Sequence, residues 1–254
     1  MLTVDTGFIF ALRQEAVGIL DRLKHARTTR GNGWTFYTGN IDDISIAVIL
    51  SGIGQKNAEE ATNILLDVFT PQVVCSAGYA GGLSARLKQS NICVPEQIFR
   101  GSDMQALDLS QPIPQQTSPQ PNKLTLLTVN DVLESPEQKR TAHEQTGAEL
   151  VDMETFAVAD VCRVRKVPFF SARVILDAVD DRIPQDISKI LERLGKGTSR
   201  LTGTILGSLW SRPSVVFDLV SLKRQAFTAT ERLTRFVLEE LSRRKPTIER
   251  LQYT

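Results

Sequence analysis

The chain has 254 residues, 41% apolar and 23% charged, a composition typical of a soluble globular enzyme with one large α/β domain or two small ones. Its formal net charge of +1 argues against a global electrostatic field that would recruit nucleic acid. No segment has the apolar length of a membrane span, and the first residues lack a basic region before an apolar run, so we expect neither a span nor a signal peptide.

The cysteines and histidines argue against a disulfide framework and a metal site. Cys75, Cys93 and Cys162 are widely spaced and odd in number, which predicts buried free thiols and a reducing cytoplasm. His25 and His143, the only histidines, both lie in charged stretches that favour helices. A zinc site or a histidine-dependent catalytic triad is therefore not expected, and neither is a cofactor.

Apolar runs and helical periodicity alternate through the first half of the chain. Apolar runs predict strands at residues 7–12, 34–37, 44–50, 73–77 and 92–98. The polar segment 39–43 predicts a hairpin between the second and third of these strands. One helix is predicted at residues 13–23, and another follows the turn Ser51–Gly54. The apolar face of this second helix consists of Ala58, Ala61, Ile64, Leu65 and Val68.

Residues 100–122 differ from the rest of the chain. They are rich in Gln, Ser and Pro and show little periodicity, which predicts a long loop or insertion. Two interpretations stay open at this point. The segment is either a disordered excursion or a lid over a ligand site.

The alternation of elements returns after this segment. Strands are predicted at residues 124–129 and 168–176, and helices at residues 135–147 and 153–165. Strands that alternate with helices predict an α/β fold, a three-layer α/β/α sandwich around a central mixed, largely parallel sheet. We expect this domain to span residues 1–200.

Residues 201–254 predict a helical C-terminal extension packed on that domain. Thr228–Glu231 fits a capping box, and apolar residues follow at roughly helical spacing, namely Phe227, Leu233, Phe236, Val237 and Leu241. The extension holds nine Lys or Arg and five Asp or Glu residues. Because the apolar segments 205–210 and 215–222 have basic flanks, docking on a membrane surface or on a partner protein is the alternative.

Three carboxylates stand where strands are predicted to end, namely Asp152, Glu154 and Asp177. Ligand sites of α/β proteins form at these strand ends. A carboxylate there can hold a sugar diol or protonate a ring nitrogen, which points to nucleosides. Such an acid costs desolvation energy unless it has a partner. Glu15, in the first turn of a predicted helix, has the position of an ordinary helix cap.

Two glycine-rich segments, Ser51–Gly54 and Gly78–Gly82, are predicted to be turns after strands. Neither has the dinucleotide-binding fingerprint or the phosphate-binding P-loop pattern. Glycine lets backbone N–H groups approach a ligand closely, but tight packing explains such segments equally well.

Several segments, in the right order, resemble the methylthioadenosine/S-adenosylhomocysteine nucleosidases of the nucleoside phosphorylase superfamily. They are Ala11–Glu15, Ser51–Gly54, Ala80–Leu83, Val151–Glu154, Val167–Phe169 and Arg173–Asp177. The resemblance covers roughly residues 5–200, and its strongest part is Met153-Glu154 with the distal Asp177.

The resemblance implies a role for each of four residues. Glu15 would orient or deprotonate the attacking water, and Glu154 would grip the ribose 2′- and 3′-hydroxyls. Met153 would pack beside the sugar, and Asp177 would deliver a proton to N7 of the leaving purine. The implied partner is a small nucleoside, with no nucleic acid, and the family commonly forms homodimers that complete the 5′ pocket across the interface.

Other positions match the family or depart from it. The resemblance places Ile53, Ala80 and Gly81 along the substrate pocket. Asp152 stands where the family often has Glu, and Leu176 where a Ser is common. Leu133 lies where an aromatic residue would stack on the base, and Tyr79 replaces a small residue beside the ribose.

Water is favoured over phosphate as the nucleophile. The phosphorylases use a Gly-Asp-Pro-x-Arg loop and a second Arg, whereas this chain lacks the loop and has Ser76 in the region of that Arg. Arg13 is the alternative anion donor. The tail, with Ile205–Leu209 and Arg212-Pro213, also resembles the extension of hopanoid-associated nucleosidases, which implies an adenosylhopane-type substrate as an alternative. A non-catalytic nucleoside-binding protein is the further alternative.

Overall fold

Twelve strands and five helices make up the part of the chain that this computed structural model describes, residues 2–31, 33–101, 103–117, 123–184 and 226–243. The strands are β1 (Leu2–Phe10), β2 (Lys24–Gly31), β3 (Trp34–Ile41), β4 (Ile44–Leu50), β5 (Phe69–Gly82), β6 (Ile92–Cys93), β7 (Gln97–Arg100), β8 (Ala106–Asp108), β9 (Gln115–Gln116), β10 (Thr125–Thr128), β11 (Leu150–Asp152) and β12 (Phe169–Asp177). The helices are α1 (Arg13–Leu20), α2 (Gln55–Val68), α3 (Pro136–Thr146), α4 (Thr155–Arg165) and α5 (residues 226–243).

All twelve strands join one mixed sheet. Its order is β2-β3-β4-β1-β5-β11-β10-β7-β8-β9, and β12 lies beside β5 and carries β6. Parallel pairs join β4, β1, β5 and β12, and also β11, β10 and β7. Antiparallel pairs lie toward the edges and where β5 meets β11. The predicted mixed sheet with a parallel centre is therefore confirmed.

Helices cover both faces of the sheet, which confirms the three layers. Successive residues of β1 point to opposite faces, as a strand requires. Ile9 packs in the cluster that includes α2 and α4, whereas Phe8 and Phe10 pack in the cluster that includes α1 and α5. The free cysteines Cys75, Cys93 and Cys162 are buried, as predicted. None of the described helices is long and apolar enough to cross a membrane.

Most of the predicted elements are confirmed. Helix α2 buries the predicted face, and β3 and β4 form the predicted hairpin, although its turn is shorter because the strands pair as far as Ile41 and Ile44. Helix α3 begins after Ser135, whose side chain accepts a hydrogen bond from Gln138 N at 3.2 Å. It ends at Gly147, which has a positive φ of 71°. Both signals are typical of helix ends.

Four predictions about local structure are wrong. Residues 24–31 form β2, so His25 lies on a strand and not on a helix. The sequence pattern did not predict this edge strand because its exposed side chains lack an apolar alternation. The segment Gly78–Gly82 continues β5 instead of turning. The strand predicted at residues 92–98 divides into β6 and β7, which pair with different strands. Thr228 lies inside α5, so it is not a capping residue.

Residues 100–122 are not simply a loop. They contain β8 and β9, which extend the sheet beyond β7. The Pro112 carbonyl accepts a hydrogen bond from Phe169 N at 2.7 Å. Phe169 begins β12, and Asp177 lies at the other end of this strand. Pro112 therefore lies at the end of β12 away from Asp177, and a lid formed by other residues of the segment stays a prediction. Residues 102 and 118–122 lie outside the described part of the chain.

Helix α5 is the part of the predicted C-terminal extension that the structure describes. Leu233, Val237 and Leu241 are buried against the face that includes α1, whereas Phe227 is 65% exposed. The apolar segments 205–210 and 215–222, on which the membrane alternative depends, lie outside the described residues, as does the boundary at residue 200.

We expect Leu233→Ala to lower the free energy of unfolding by about 2–5 kcal/mol, since it leaves a cavity under α5. Phe227→Ala, on the same helix but exposed, is the matched control and should change stability by less than about 0.5 kcal/mol. Urea unfolding measures both. Equal stability of Leu233→Ala and the parent chain would contradict the packing of α5.

Candidate active site

Four acidic side chains lie near the carboxyl ends of the central strands. Glu15 follows β1, Asp152 ends β11, Glu154 comes two residues after Asp152, and Asp177 ends β12. Burial, followed by the negative charge of Asp152 and less strongly that of Glu15, raises the pKa of Glu154, so these three acids are electrostatic neighbours. This edge is where a parallel sheet places ligands.

Glu15 is buried and held by two backbone donors. Its carboxylate accepts hydrogen bonds from Leu12 N and Tyr79 N, each at 2.8 Å. The first bond is the expected helix cap, and the second joins α1 to β5. Burial nevertheless raises the pKa of Glu15, against the lowering effect of both N–H groups and of Arg173. A carboxyl with a raised pKa is suited to accept a proton near neutral pH.

Gly78 makes room for this carboxylate. A Cβ atom at position 78 would lie 2.6 Å from Glu15 Oε1, which is too close for any real contact. The close approach of the Glu15 side chain from α1 therefore explains the glycine at position 78, which lies within strand β5 and not in a turn.

Asp152 forms a buried ion pair with Arg173. Its Oδ2 lies 2.9 Å from Arg173 Nη2 and 3.1 Å from Nε, and it also accepts from Thr155 N at 2.9 Å. Its Oδ1 accepts from the Thr128 hydroxyl at 2.7 Å. Arg173 in turn donates to the Ser76 hydroxyl at 2.8 Å. Because its charge is paired with a buried arginine, Asp152 is better suited to position its neighbours than to contact a substrate.

Glu154 lies at the start of α4 and faces the turn after β4. Its Oε1 accepts a hydrogen bond from Gly54 N at 2.7 Å, and Gly54 has a positive φ of 98° that favours glycine. Burial, followed by the charge of Asp152, raises the pKa of Glu154 to about 8, despite the bond from Gly54. The sequence motif around residues 51–54 thus has a structural role in orienting this acid.

Asp177 ends β12 at an irregularity in the sheet. Ile175 pairs with Ala80, but Asp177 pairs with Gly81, so one extra residue is accommodated there. A Cβ atom on Gly81 would lie 3.2 Å from Asp177 Oδ2, so the absence of a side chain leaves room for the carboxylate. Burial raises the pKa of Asp177, and the charge of Lys139 opposes this effect.

Sequence reasoning assigned no role to Lys139 or Arg173. Lys139 lies on α3, is 1% exposed and donates to Asp177 Oδ2 at 2.5 Å. No pattern marked it, because α3 has no apolar face and Lys139 is its one buried residue. Arg173 is an arginine in the middle of an otherwise apolar strand, which was the available signal for a buried partner of an acid.

The remaining predicted site residues divide into two groups. Ile53 and Ala80 are buried at the strand ends, and Met153 is half-buried beside Glu154, so their contact with a substrate stays a prediction. Tyr79 faces the other way, since its hydroxyl shares a hydrogen bond of 2.6 Å with Thr230 on α5. Leu133 packs against the cluster of Leu83, Phe99, Ala106, Leu127, Ala148 and Val151. In the described residues, no group of acidic, His or Cys side chains is arranged to hold a metal ion.

The ionisation of Glu154 gives a testable effect on stability. A carboxyl with a raised pKa in the folded state contributes stability that is complete below its unfolded pKa of about 4.5 and lost as the pH rises through about 8. We therefore expect Glu154→Gln, which keeps an oxygen for Gly54 N–H, to gain stability relative to the parent between pH 5 and pH 9.

Urea unfolding at both pH values measures this difference. Glu137→Gln, which removes an exposed acid on α3, is the control and should follow the parent. Parallel pH profiles of the parent and Glu154→Gln would show that Glu154 is not held in its neutral form.

Comparison with known proteins agrees with this geometry. The 5′-methylthioadenosine/S-adenosylhomocysteine nucleosidase of Colwellia psychrerythraea is 29% identical in an alignment 236 residues long that covers 81% of this chain and 97% of the relative. A crystal structure of the nucleosidase from that organism with adenine matches at a TM-score of 0.60 and 25% identity, covering 80% of this chain and 95% of that chain. The Neisseria meningitidis nucleosidase, with methylthio-immucillin-A, matches at 0.65 and 18% identity, covering 93% and 97%.

The family model that matches this chain is that of the phosphorylase superfamily. It matches residues 5–125 and 115–207, which together are well over half of the chain. The chain therefore belongs to the phosphorylase superfamily.

Proposed function

We propose that this protein hydrolyses the N-glycosidic bond of a 5′-substituted adenosine, of the methylthioadenosine or S-adenosylhomocysteine type, and releases adenine. The observation that carries the proposal is that Glu15, Glu154 and Asp177 are placed at one edge of the sheet, each with a raised pKa. The Colwellia nucleosidase relative supports the choice of substrate class.

Glu15 is the proposed base for water. Leu12 N and Tyr79 N hold its two oxygens in place, so the carboxylate has a fixed orientation before substrate binds. As water attacks C1′, its oxygen forms the new bond and its proton passes to Glu15. The raised pKa of Glu15 favours this transfer at neutral pH.

Glu154 is the proposed ribose ligand. Its Oε1 is held by Gly54 N, and its other oxygen is available to accept a hydrogen bond from a sugar hydroxyl. When ionised, it also stabilises the positive charge that develops on the ribose as the glycosidic bond breaks. Met153 lies beside it and would pack against the sugar. Asp152 and Arg173 hold the start of α4, through Thr155, in the position that this contact requires.

Asp177 is the proposed general acid. The electron pair of the glycosidic bond passes to the purine ring as the bond breaks, and Asp177 delivers a proton to N7. Burial raises the pKa of Asp177, which favours the protonated form that this step uses. A positioned acid of this kind typically contributes about 10²–10⁴-fold to the rate.

The arrangement of cations supports water over phosphate. The Arg173 guanidinium is engaged with Asp152, Ser76 and Thr155. Arg13 donates to the Tyr37 hydroxyl at 3.0 Å and lies over its ring, on the exposed surface. Phosphate binding needs charge-assisted donors, and these two candidates have other partners.

The 5′ substituent and the assembly are further parts of the proposal. Adenosylhopane remains the alternative substrate. The tail residues that suggest it lie outside the described part of the chain, so the structure does not test this alternative. We propose a homodimer in the cytoplasm, with catalytic residues 1–200 and a helical extension 201–254. The packing of α5 supports the last point, and three buried free thiols support a reducing compartment. Light scattering of the purified protein tests the dimer.

The function is tested with a panel of 5′-substituted adenosines. Methylthioadenosine, S-adenosylhomocysteine and an adenosine with an apolar lipid-like 5′ group are incubated with and without phosphate, and adenine release is measured. We expect release at the same rate in both conditions. Release that depends on phosphate would establish a phosphorylase. Tight binding of these nucleosides without release would establish a binding protein.

We expect Asp177→Asn to lower kcat by about 10²-fold or more, because the amide cannot deliver the proton. Asp180→Asn is the matched control, since Asp180 is exposed and pairs only with Arg140 among the ion pairs described. Adenine release and thermal unfolding are measured for both variants. Near-normal turnover in Asp177→Asn would remove Asp177 from the mechanism.

A further inference from the structure

Lys139 is a buried cation for which the proposed reaction has no assigned role. It projects from α3, its side chain is 1% exposed, and it forms an ion pair with Asp177. Its ammonium donates to Asp177 Oδ2 at 2.5 Å, to the Ala178 carbonyl at 2.9 Å and to the Asp181 carbonyl at 2.8 Å. An ammonium has three N–H donors, so all of them are used.

The hydrogen bonds of Lys139 fix the position of the Asp177 carboxyl. The two carbonyls come from the chain that directly follows β12, so Lys139 joins α3 to the end of the strand that carries Asp177. The same turn is held by Asp181 Oδ2, which accepts from Ala178 N at 2.7 Å. Lys139 thus holds one oxygen of the carboxyl, Oδ2, in a fixed place.

We propose, on the basis of the hydrolysis proposed above, that Lys139 is a positioning residue for Asp177: its ammonium holds Oδ2 so that Oδ1 delivers the proton to N7 of the leaving adenine. Lys139 itself does not transfer a proton to the substrate, because Asp177 and two backbone carbonyls occupy its three N–H donors. The proton on Asp177 comes from solvent between turnovers and leaves with the base.

The charges around Asp177 give this role a pH signature. Lys139 faces the carboxyl from α3 and lowers its pKa, whereas Asp181, in the turn after β12, raises it. Gly81 faces it from β5 and brings no charge. A general acid is active in its protonated form, so kcat falls as the pH rises through its pKa. Removal of Lys139 raises that pKa, and the alkaline decline of kcat should move to higher pH.

The test uses Lys139→Met and Lys139→Gln in the full chain. For Lys139→Met we expect kcat at neutral pH to fall roughly tenfold or more. We expect KM to stay within about twofold, since uniform substrate binding is not affected, and the alkaline decline to shift upward by about one pH unit or more. Lys139→Gln keeps a donor without the charge, so it should recover part of kcat but show the same shift. Arg140→Met, which removes an exposed neighbour on α3, is the control and should match the parent.

Two outcomes would overturn the proposal. One is a loss of kcat with an unchanged pH profile, which would mean that Lys139 acts only in folding. The other is parent-like kcat in Lys139→Met. If Lys139→Met does not fold, as judged by thermal unfolding, Lys139→Gln decides the question through its pH profile.

A second measurement separates this proposal from the proposed function. Carboxyl carbon NMR follows the titration of Asp177 in the parent and in Lys139→Gln without substrate. A higher pKa of Asp177 in the variant supports the coupling even if the parent releases no adenine, in which case the hydrolysis alone fails. An unchanged pKa overturns the role of Lys139 even if the parent is an active hydrolase.

Discussion

The buried ion pair between Arg173 and Asp152 is the interaction on which the rest of the site depends. Both side chains are buried, and the guanidinium also contacts Ser76 and Thr155, so it joins β12, β5, β11 and α4. Burial raises the pKa of both Glu15 and Glu154, and the positive charge of Arg173 opposes this effect. Removing one partner of a buried pair typically costs about 3–5 kcal/mol, because the other charge is left uncompensated. Without Arg173, three acids would share one buried region with no cation between them.

A second constraint comes from the glycines of β5. This strand passes between the two proposed proton-transfer residues, with Gly78 beside Glu15 and Gly81 beside Asp177. A Cβ atom at position 78 would lie 2.6 Å from Glu15 Oε1 and displace that oxygen, whereas one at position 81 would lie 3.2 Å from Asp177 Oδ2 and force only a small shift. Strand β5 therefore packs closely against the acids of α1 and β12, and this close packing explains the glycines at positions 78 and 81. Helix α5 adds support from outside, because Thr230 contacts both Tyr79 and the Gln14 carbonyl next to Glu15.

The fold was predictable where a single face of an element is buried. Helix α2 shows this well, because the apolar spacing from Ala58 to Leu65 marked its buried face. Helix α3 was predictable for another reason, namely the residues that are typical of helix ends. Strand β2 could not be predicted, since every residue from Lys24 to Gly31 is exposed and backbone pairing with β3 alone makes it a strand. The short strands β8 and β9 likewise depend on backbone pairing, β8 with β7 and β9 with β8.

The site was predictable in its acids but not in their partners. Glu154 and Asp177 stood out because acids at strand ends need an explanation, and Glu15 was added by resemblance alone. Lys139 carried no signal, since a lysine in a polar helix is normally exposed and only the tertiary fold turns it toward Asp177. The direction of Tyr79, away from the ribose pocket and toward α5, likewise depends on a contact with Thr230 across 151 positions of the chain.

The central claim is that water held by Glu15 attacks the sugar. It is tested most directly by turnover of methylthioadenosine in water enriched in oxygen-18, with phosphate present, followed by mass spectrometry of the sugar product. The account predicts free methylthioribose that carries one oxygen-18 atom at C1. A sugar 1-phosphate without the label would contradict it, because phosphate and not water would then be the nucleophile.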